Sequence, residues 1–370
     1  MVKPRKVLFF RPSLGQGGAD RVTATLLRRL DRERFDPSIA LVRVEGEFLP
    51  DVPPDVVVHA LGSRRLATSV PALMRLIRKT QPDVIFSTAS ACNPIAVFAH
   101  RLARSRAKLV LSERNALFRG RANDFKQRVE VALKKITYNR ADVVTTVSSG
   151  LADQLAADIG VKRSKLQVVY NPMIDDDLDA RAAEPVEHPW FSPEQLPVVV
   201  ACARLVEQKD YPALLAAFAK VRAQLPARLF VLGEGPLKAT LEEEARRLGI
   251  GADVCFFGFD KNPMKYMSRA RILMHASRAE GLPGSLIQTM ACGTPVVSTD
   301  CDFGPREVIT ESGVDGYLVR VGDTDALAAR SLGLLTQPAL RDSMGQRAKI
   351  SAGRFTVAAS LARYEAALGA

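Results

Sequence analysis

A chain of 370 residues with 47% hydrophobic and 25% charged side chains is soluble-globular in composition and longer than one compact core accommodates, so two domains are expected. No apolar run reaches the roughly 18–20 residues of a membrane-crossing helix, and the run after the basic start MVKPRK is too short for a signal peptide. The formal net charge is +12, and the excess lies before residue 171, where 30 Lys and Arg face 15 Asp and Glu, against 22 and 25 in the remainder.

A basic half of this kind suits nucleic acid, an anionic membrane or a phosphorylated substrate, or is merely well solvated. The absence of an aromatic-rich RNA motif, a zinc finger or a clear helix-turn-helix makes nucleic acid the least supported. The five cysteines are odd in number, scattered and without zinc spacing, which predicts buried free thiols in a reducing cytoplasm.

In chain order, Lys6 to Arg11 predicts a first strand. It leads into LGQGGADRVTATLLRRL, where Gly15, Gly17 and Gly18 make a turn before an amphipathic helix. Asp20 stands where a dinucleotide fingerprint needs its third glycine, so the glycines indicate only that a ligand can approach the backbone closely. Strands are expected at 38–42, 56–60, 84–87, 108–112 and 143–147, with helices at 71–80, 93–103 and 125–139 between them. Such alternation predicts a parallel sheet with helices on both faces and ligands at the carboxyl ends of its strands. That rim would carry the Gly15 loop, Asn93, Ser112, Glu113, Arg114, Asn115, Ser148 and Ser149.

Two helices concentrate the basic charge. One holds Arg75, Arg78 and Lys79; the other, RGRANDFKQRVEVALKK, offers Arg119, Arg121, Lys126, Arg128, Lys134 and Lys135 beside Phe118, Phe125, Val129 and Leu133. An amphipathic basic stretch suits an anionic membrane surface and equally an ordinary surface helix. The Pro- and acid-rich stretch from Val168 to Pro197 lacks periodicity and is expected to link the domains. Beyond it the alternation restarts, with strands at 198–203, 228–232, 254–257, 271–276, 295–298 and 316–319 and helices at 212–224, 237–248, 286–291, 324–335 and from 339 onward.

The stretch RAEGLPGSLIQTMACGTPVVSTDCDFGPREVI reads as strand end, glycine-rich turn, helix and strand. The turn Gly281, Leu282, Pro283, Gly284, Ser285 leaves backbone N–H groups at a positive helix end, a site for phosphate. Glu280 just before it would repel phosphate and suits hydroxyls instead, and phosphate beside hydroxyls describes a sugar nucleotide. Three other strand ends accompany it. ARLVEQKD carries Arg204 and Lys209, two cations able to grip a pyrophosphate; LGEGPL carries Gly233, Glu234 and Gly235; CFFGF carries Phe257 and Gly258 beside a possible base pocket.

This ordered set resembles the retaining GT-B glycosyltransferases of family GT4 over nearly the whole chain, more specifically in its second half. The resemblance implies an α/β fold of two Rossmann-like doubly wound parallel-sheet domains facing a central cleft. Residues 1–175 would bind the acceptor, 176–196 would link, 197–350 would bind the nucleotide sugar, and a helix in 351–370 would pack back on the first domain. The family's Arg-x4-Lys pair matches Arg204 and Lys209, implied to neutralise the diphosphate leaving group. Its E-x7-E motif matches Glu280, implied to contact the transferred sugar, but meets Gln288 at the ribose-binding place, where hydrogen bonding remains without charge. Gly281 to Leu286 would give amides to phosphate and sugar, with Gly17, Gly18, Gly233, Glu234, Gly235, Phe257 and Gly258 completing the donor site.

Fixed cations and helix-end amides can meet the developing charge, so no metal or other cofactor is expected. Asp300-Cys301-Asp302 matches a metal-binding DxD only superficially. None of the four histidines matches the family's first-domain histidine, and His275 is taken as a strand end. Glu113 is the best base-like residue on the acceptor side, with Asn93, Arg114 and Asn115 as acceptor contacts. The reading is a retaining hexosyltransferase that moves a hexose or N-acetylhexosamine from a UDP-sugar to a glycan or polyprenyl-pyrophosphate-linked acceptor in surface polysaccharide or glycan assembly. It would be cytoplasmic, peripheral on the membrane and without nucleic-acid partners. Another GT-B enzyme, such as a sugar-nucleotide epimerase or a phosphorylase, and a non-catalytic sugar-nucleotide-binding protein are the alternatives.

Overall fold

The structure, a computed structural model, describes residues 3–116, 125–192 and 195–369, and the backbone alone of 125–127. It divides into two units, Met1–Pro172 with Ala358–Ala370, and Met173–Val357.

In the first unit the chain runs β1 (Arg5–Arg11), α1 (Gly18–Arg29), β2 (Phe35–Leu41), β3 (Val57–Ala60), α2 (Val70–Thr80), β4 (Val84–Ser87), α3 (Asn93–Ala103), β5 (Lys108–Glu113), α4 (Phe125–Thr137), β6 (Val143–Thr146), α5 (Ser149–Gln154) and β7 (Leu166–Val168). The described strands form one parallel sheet in the order β3-β2-β1-β4-β5-β6-β7. Central strands are buried on both faces, which is why Val7 to Phe10 and Val84 to Phe86 read as unbroken apolar runs. The edge strand β7 escapes that pattern, because Gln167 is exposed between half-buried neighbours. The order reverses between β1 and β4, the doubly wound arrangement. At the first turn Asp20 Oδ2 accepts from the Gly17 amide at 3.0 Å, so the residue that spoils the dinucleotide fingerprint tethers the start of α1.

The second unit opens with α6 (Leu178–Ala183), followed by β8 (Val198–Cys202), α7 (Tyr211–Arg222), β9 (Arg228–Leu232), α8 (Lys238–Arg247), β10 (Val254–Gly258), α9 (Met264–Met267), β11 (Ile272–His275), α10 (Gly284–Ala291), β12 (Val296–Thr299), α11 (Pro305–Val308), β13 (Tyr317–Val319), α12 (Thr324–Thr336) and α13 (Pro338–Ala352). Its described sheet is also parallel, ordered β10-β9-β8-β11-β12-β13, and reverses between β8 and β11. The last helix, α14 (Val357–Leu368), returns to the first unit, where Tyr364 is buried with its ring 6.0 Å from Phe86 and Glu365 pairs with Arg34 at 2.8 Å.

Within the stretch expected as an irregular linker, α6 and the turn Pro189–Phe191 are ordered. Asn262 Nδ2 donates to Arg181 O at 2.8 Å and Ser268 Oγ to Ala182 O at 2.9 Å, holding α6 on the second unit. The Pro189–Phe191 turn adds Trp190 and Phe191 to an aromatic cluster with His188, Phe230, Phe257 and Tyr266. Tertiary partners, not local periodicity, order this segment.

Gly235 lets the β9–α8 loop lie directly on the β8–α7 loop: Leu205 N donates to Glu234 O at 2.8 Å, and a Cβ at position 235 would stand 2.3 Å from the Leu205 carbonyl oxygen. Gly235→Ala is therefore expected to destabilise the second unit by about 1–3 kcal/mol. Urea unfolding followed by the fluorescence of the sole tryptophan, Trp190, reads that unit, and an unchanged midpoint would refute the close approach.

Candidate active site

In the second unit, the loops after β8 and β11 meet at the reversal of strand order. Arg278 Nε donates to Asp210 Oδ2 at 2.7 Å, Arg278 N to Gln208 O at 2.9 Å, and Gln208 Nε2 to Ala279 O at 2.5 Å. This lacing brings Lys209 against Glu280, and the two are ion-paired through Lys209 Nζ and Glu280 Oε1. Ser277 Oγ donates to the same oxygen at 2.7 Å, and His275 Nε2 lies 3.0 Å from it. Glu280 is only 6% exposed. Burial works to raise its pKa, but Lys209 and then His275 outweigh burial and hold the carboxyl far below the ordinary range.

Glu280 Oε2, by contrast, has no hydrogen-bond partner among the described residues. Beside it the turn enters α10, whose first helical hydrogen bond runs from Ile287 N to Pro283 O at 3.4 Å. The amides of Gly284, Ser285 and Leu286 precede that bond and carry the positive end of the helix. Gly304, at φ +85°, seats the next loop on this turn; a Cβ there would come 2.8 Å from Pro283 Cδ and 2.9 Å from Gly281 O.

Several expected donor residues have specific placements. Arg204 is exposed, with no ion-pair partner among the described residues, whereas Lys209 is already paired with Glu280. Gly233 and Gly235 press on the backbone of Ala203 and Leu205, and Glu234 is exposed between them. A register shift between Phe256 and Gly258 turns Phe257 outward, 41% exposed, with its ring 5.1 Å from Phe230. Gly281, Leu282, Pro283 and Gln288 are buried, and the Gln288 amide has no partner among the described residues. Gly17 and Gly18 belong to the first unit. Both Asp300 oxygens are engaged by Arg306, each at 2.5 Å, so Asp300 and Asp302 do not form an open carboxylate pair. Among the described residues no group of three His, Cys, Asp or Glu side chains is arranged to hold a metal ion.

His275 was missed as a partner of Glu280. Its signal is a histidine in an otherwise apolar strand; what the sequence does not contain is the register that sets it opposite Ser298 of β12.

The acceptor-side expectations need correction. Glu113 has no exposed surface. Its Oε1 accepts from Ser90 Oγ and from the amides of Arg114 (3.1 Å) and Asn115 (3.2 Å), and its Oε2 accepts from Tyr138 OH (2.6 Å) and pairs with Lys134 (3.0 Å). Burial works to raise its pKa, but Lys134 and these hydrogen bonds prevail and the carboxyl lies below the usual range. With every lone pair engaged and no solvent contact, it is built as an internal anion and not as a base. Asn93 is likewise buried, its Nδ2 donating to Tyr138 OH at 2.9 Å. Arg114 is 7% exposed, donating to Ser112 Oγ and Asn171 Oδ1, and of the four only Asn115 is exposed.

The basic helix changes too. Lys134 points inward, 1% exposed, while Arg128, Val129, Lys135 and Ile136 face solvent. Phe118, Arg119 and Arg121, and the side chains of Phe125 and Lys126, lie outside the described residues.

The chain matches the family described as Glycosyltransferase Family 4 over residues 16–177 and that described as Glycosyl transferases group 1 over residues 185–351. It belongs to the GT4 glycosyltransferases, and its two parallel-sheet units are those of the GT-B fold. It is similar to the N-acetylgalactosamine-N,N'-diacetylbacillosaminyl-diphospho-undecaprenol 4-alpha-N-acetylgalactosaminyltransferase of Campylobacter jejuni, 28% identical over 95% of this chain and 96% of that protein. The lipopolysaccharide core biosynthesis glycosyltransferase LpsE of Rhizobium meliloti is 23% identical over 90% of this chain and 89% of its own. Among solved structures, HepE of Anabaena in complex with UDP-glucose superposes with a TM-score of 0.83 at 21% identity, covering 98% of this chain and 99% of that one.

The folded pKa of Glu113 lies below its unfolded value, so its contribution to stability is present above the ordinary Glu value, about 4.3, and is lost as pH falls through the depressed one. Lys134→Met leaves this carboxylate buried without its cation, and is expected to cost about 3–5 kcal/mol at neutral pH. The deficit should shrink on acidification, because a protonated Glu113 no longer needs the cation. Denaturant unfolding by circular dichroism across pH checks this, and a deficit independent of pH would refute it.

Proposed function

We propose that this glycosyltransferase moves a hexose or N-acetylhexosamine from a UDP-sugar, with retention of the α configuration, to a glycan or polyprenyl-pyrophosphate-linked sugar in surface polysaccharide or glycan assembly. The observation that carries the reading is the one-sided hold on Glu280: Oε1 is fixed by three donors, and Oε2 is left to accept from sugar hydroxyls. Negative charge develops on the departing diphosphate, and the exposed Arg204, the Lys209 ammonium and the α10 amides would stabilise it without a metal. Gln288 would bind the ribose by hydrogen bonds alone. Attack from the face of the leaving group needs no protein nucleophile, so the burial of Glu113 is no obstacle to retention. The donor is supported by the UDP-glucose in the HepE structure, and the acceptor class by the diphospho-undecaprenol in the name of the Campylobacter relative.

Incubation with a panel of labelled UDP-sugars and a polyprenyl-diphosphate-linked acceptor tests the reading. Transfer with a retained anomeric centre is expected, and Arg204→Ala should lower kcat by about 100- to 1,000-fold. Binding without transfer or hydrolysis, an inverted product or an undiminished Arg204→Ala would overturn it.

We further propose peripheral attachment to the cytoplasmic membrane face through the basic first unit, with Val129 and Ile136 flanked by Arg128 and Lys135 on the solvent side of α4. No helix among the described residues is long and apolar enough to cross a membrane. Replacing Arg128 and Lys135 together by alanine should weaken binding to anionic vesicles by about 2 kcal/mol, roughly 30-fold. Equal flotation of parent and variant would remove this attachment.

A further inference from the structure

Three donors converge on one oxygen of Glu280, and they differ in what they fix. Lys209 is a compact charge on a flexible stem, which sets distance more than direction. His275 is a planar ring in strand β11, buried, and held on its far side by Ser298 Oγ, 3.0 Å from Nδ1. Ser298 is its partner across the β11–β12 register, and its hydroxyl lies 3.0 Å from the Thr299 carbonyl. Ser277 Oγ lies 3.0 Å from Nε2, and its own carbonyl accepts from Thr299 Oγ1 at 2.6 Å. An ionised carboxylate only accepts, so Nε2 carries the hydrogen in this contact. The ring therefore points an N–H along a direction set by two strands.

There is also a conflict to resolve at Lys209. If its ammonium meets a diphosphate, Glu280 loses its cation while remaining buried, and other donors must keep the carboxylate in place.

We propose that His275 is a positioning residue whose Nε2–H, with Ser277, holds Glu280 Oε1 so that Oε2 stays turned to the sugar when Lys209 engages the leaving group. The proposal rests on the reading of Glu280 as the sugar contact. It assigns to this chain a Ser298–His275–Glu280 relay of orientation, with no proton transferred along it.

The test compares His275→Gln, His275→Asn and Glu280→Gln in the full chain, with UDP-glucose and UDP-N-acetylhexosamines as donors. Glutamine can place an amide N–H near the Nε2 position, whereas asparagine can only mimic Nδ1 and cannot reach Glu280. His275→Asn is expected to lower kcat roughly 10- to 100-fold, the worth of one hydrogen bond to a charged group, with a smaller change in donor KM. His275→Gln should recover much of that loss. A role confined to packing would not rank the two in this way, and equal activities would overturn the proposal. If Glu280→Gln turns over like the parent, the sugar-contact reading fails and the proposal falls with it; an inactive Glu280→Gln with equal histidine variants sinks the proposal alone. Should His275→Asn not fold, Ser298→Ala, which frees the ring's far side, takes its place. A fall in its kcat is then expected, and an unchanged kcat overturns the proposal.

Discussion

A carboxylate withdrawn from water must be matched by donors, or it protonates or turns outward, and Glu280 is matched from two loops and a strand. Lys209 comes from the loop after β8, His275 from the end of β11, and Ser277 from the loop that carries Glu280 itself. The arrangement exists because β8 and β11 are neighbours where the sheet reverses its order, so that their outgoing loops diverge and then meet again over the strand ends. The lacing through Asp210, Gln208 and Arg278 holds this junction, while Gly235 seats the β9–α8 loop on the β8–α7 loop and Gly304 seats the loop after β12 on the turn into α10.

Among the described residues two acid–lysine clusters are buried, and they differ in what each leaves open to a ligand. Around Glu113 both oxygens are taken up, by Ser90, two backbone amides, Tyr138 and Lys134, which closes the group to any ligand. Around Glu280 all three donors fall on one oxygen. Both carboxyls are held ionised below their ordinary range, so a shifted pKa does not distinguish them. The unfilled acceptor does. A group with a lone pair still available can take up hydroxyl hydrogens without breaking anything already made.

The alternation of strands and helices was legible because strands buried on both faces must be continuously apolar, as in Val198 to Ala201 or Leu229 to Leu232. The positions of Arg204, Lys209 and Glu280 at strand ends were legible for the same reason. Three features were not. The short edge strand β7 has an exposed Gln167 and lacks the apolar run; α6 lies in a Pro- and acid-rich stretch and is held by distant carbonyl contacts; Lys134 has the composition of a surface residue and is turned inward by Glu113.

From its own order of residues the chain determined two parallel-sheet units, a glycine-rich turn into a helix at Gly281 to Leu286, and a carboxylate placed just before it. Only tertiary structure decided that Lys209 pairs with Glu280, that His275 stands opposite Ser298 and reaches the same oxygen, and that Glu113 is sealed inside. The reason is physical. Apolar periodicity is a local property that a strand or helix carries along its length, whereas the partner of a buried charge is set by which strands become neighbours and in what register.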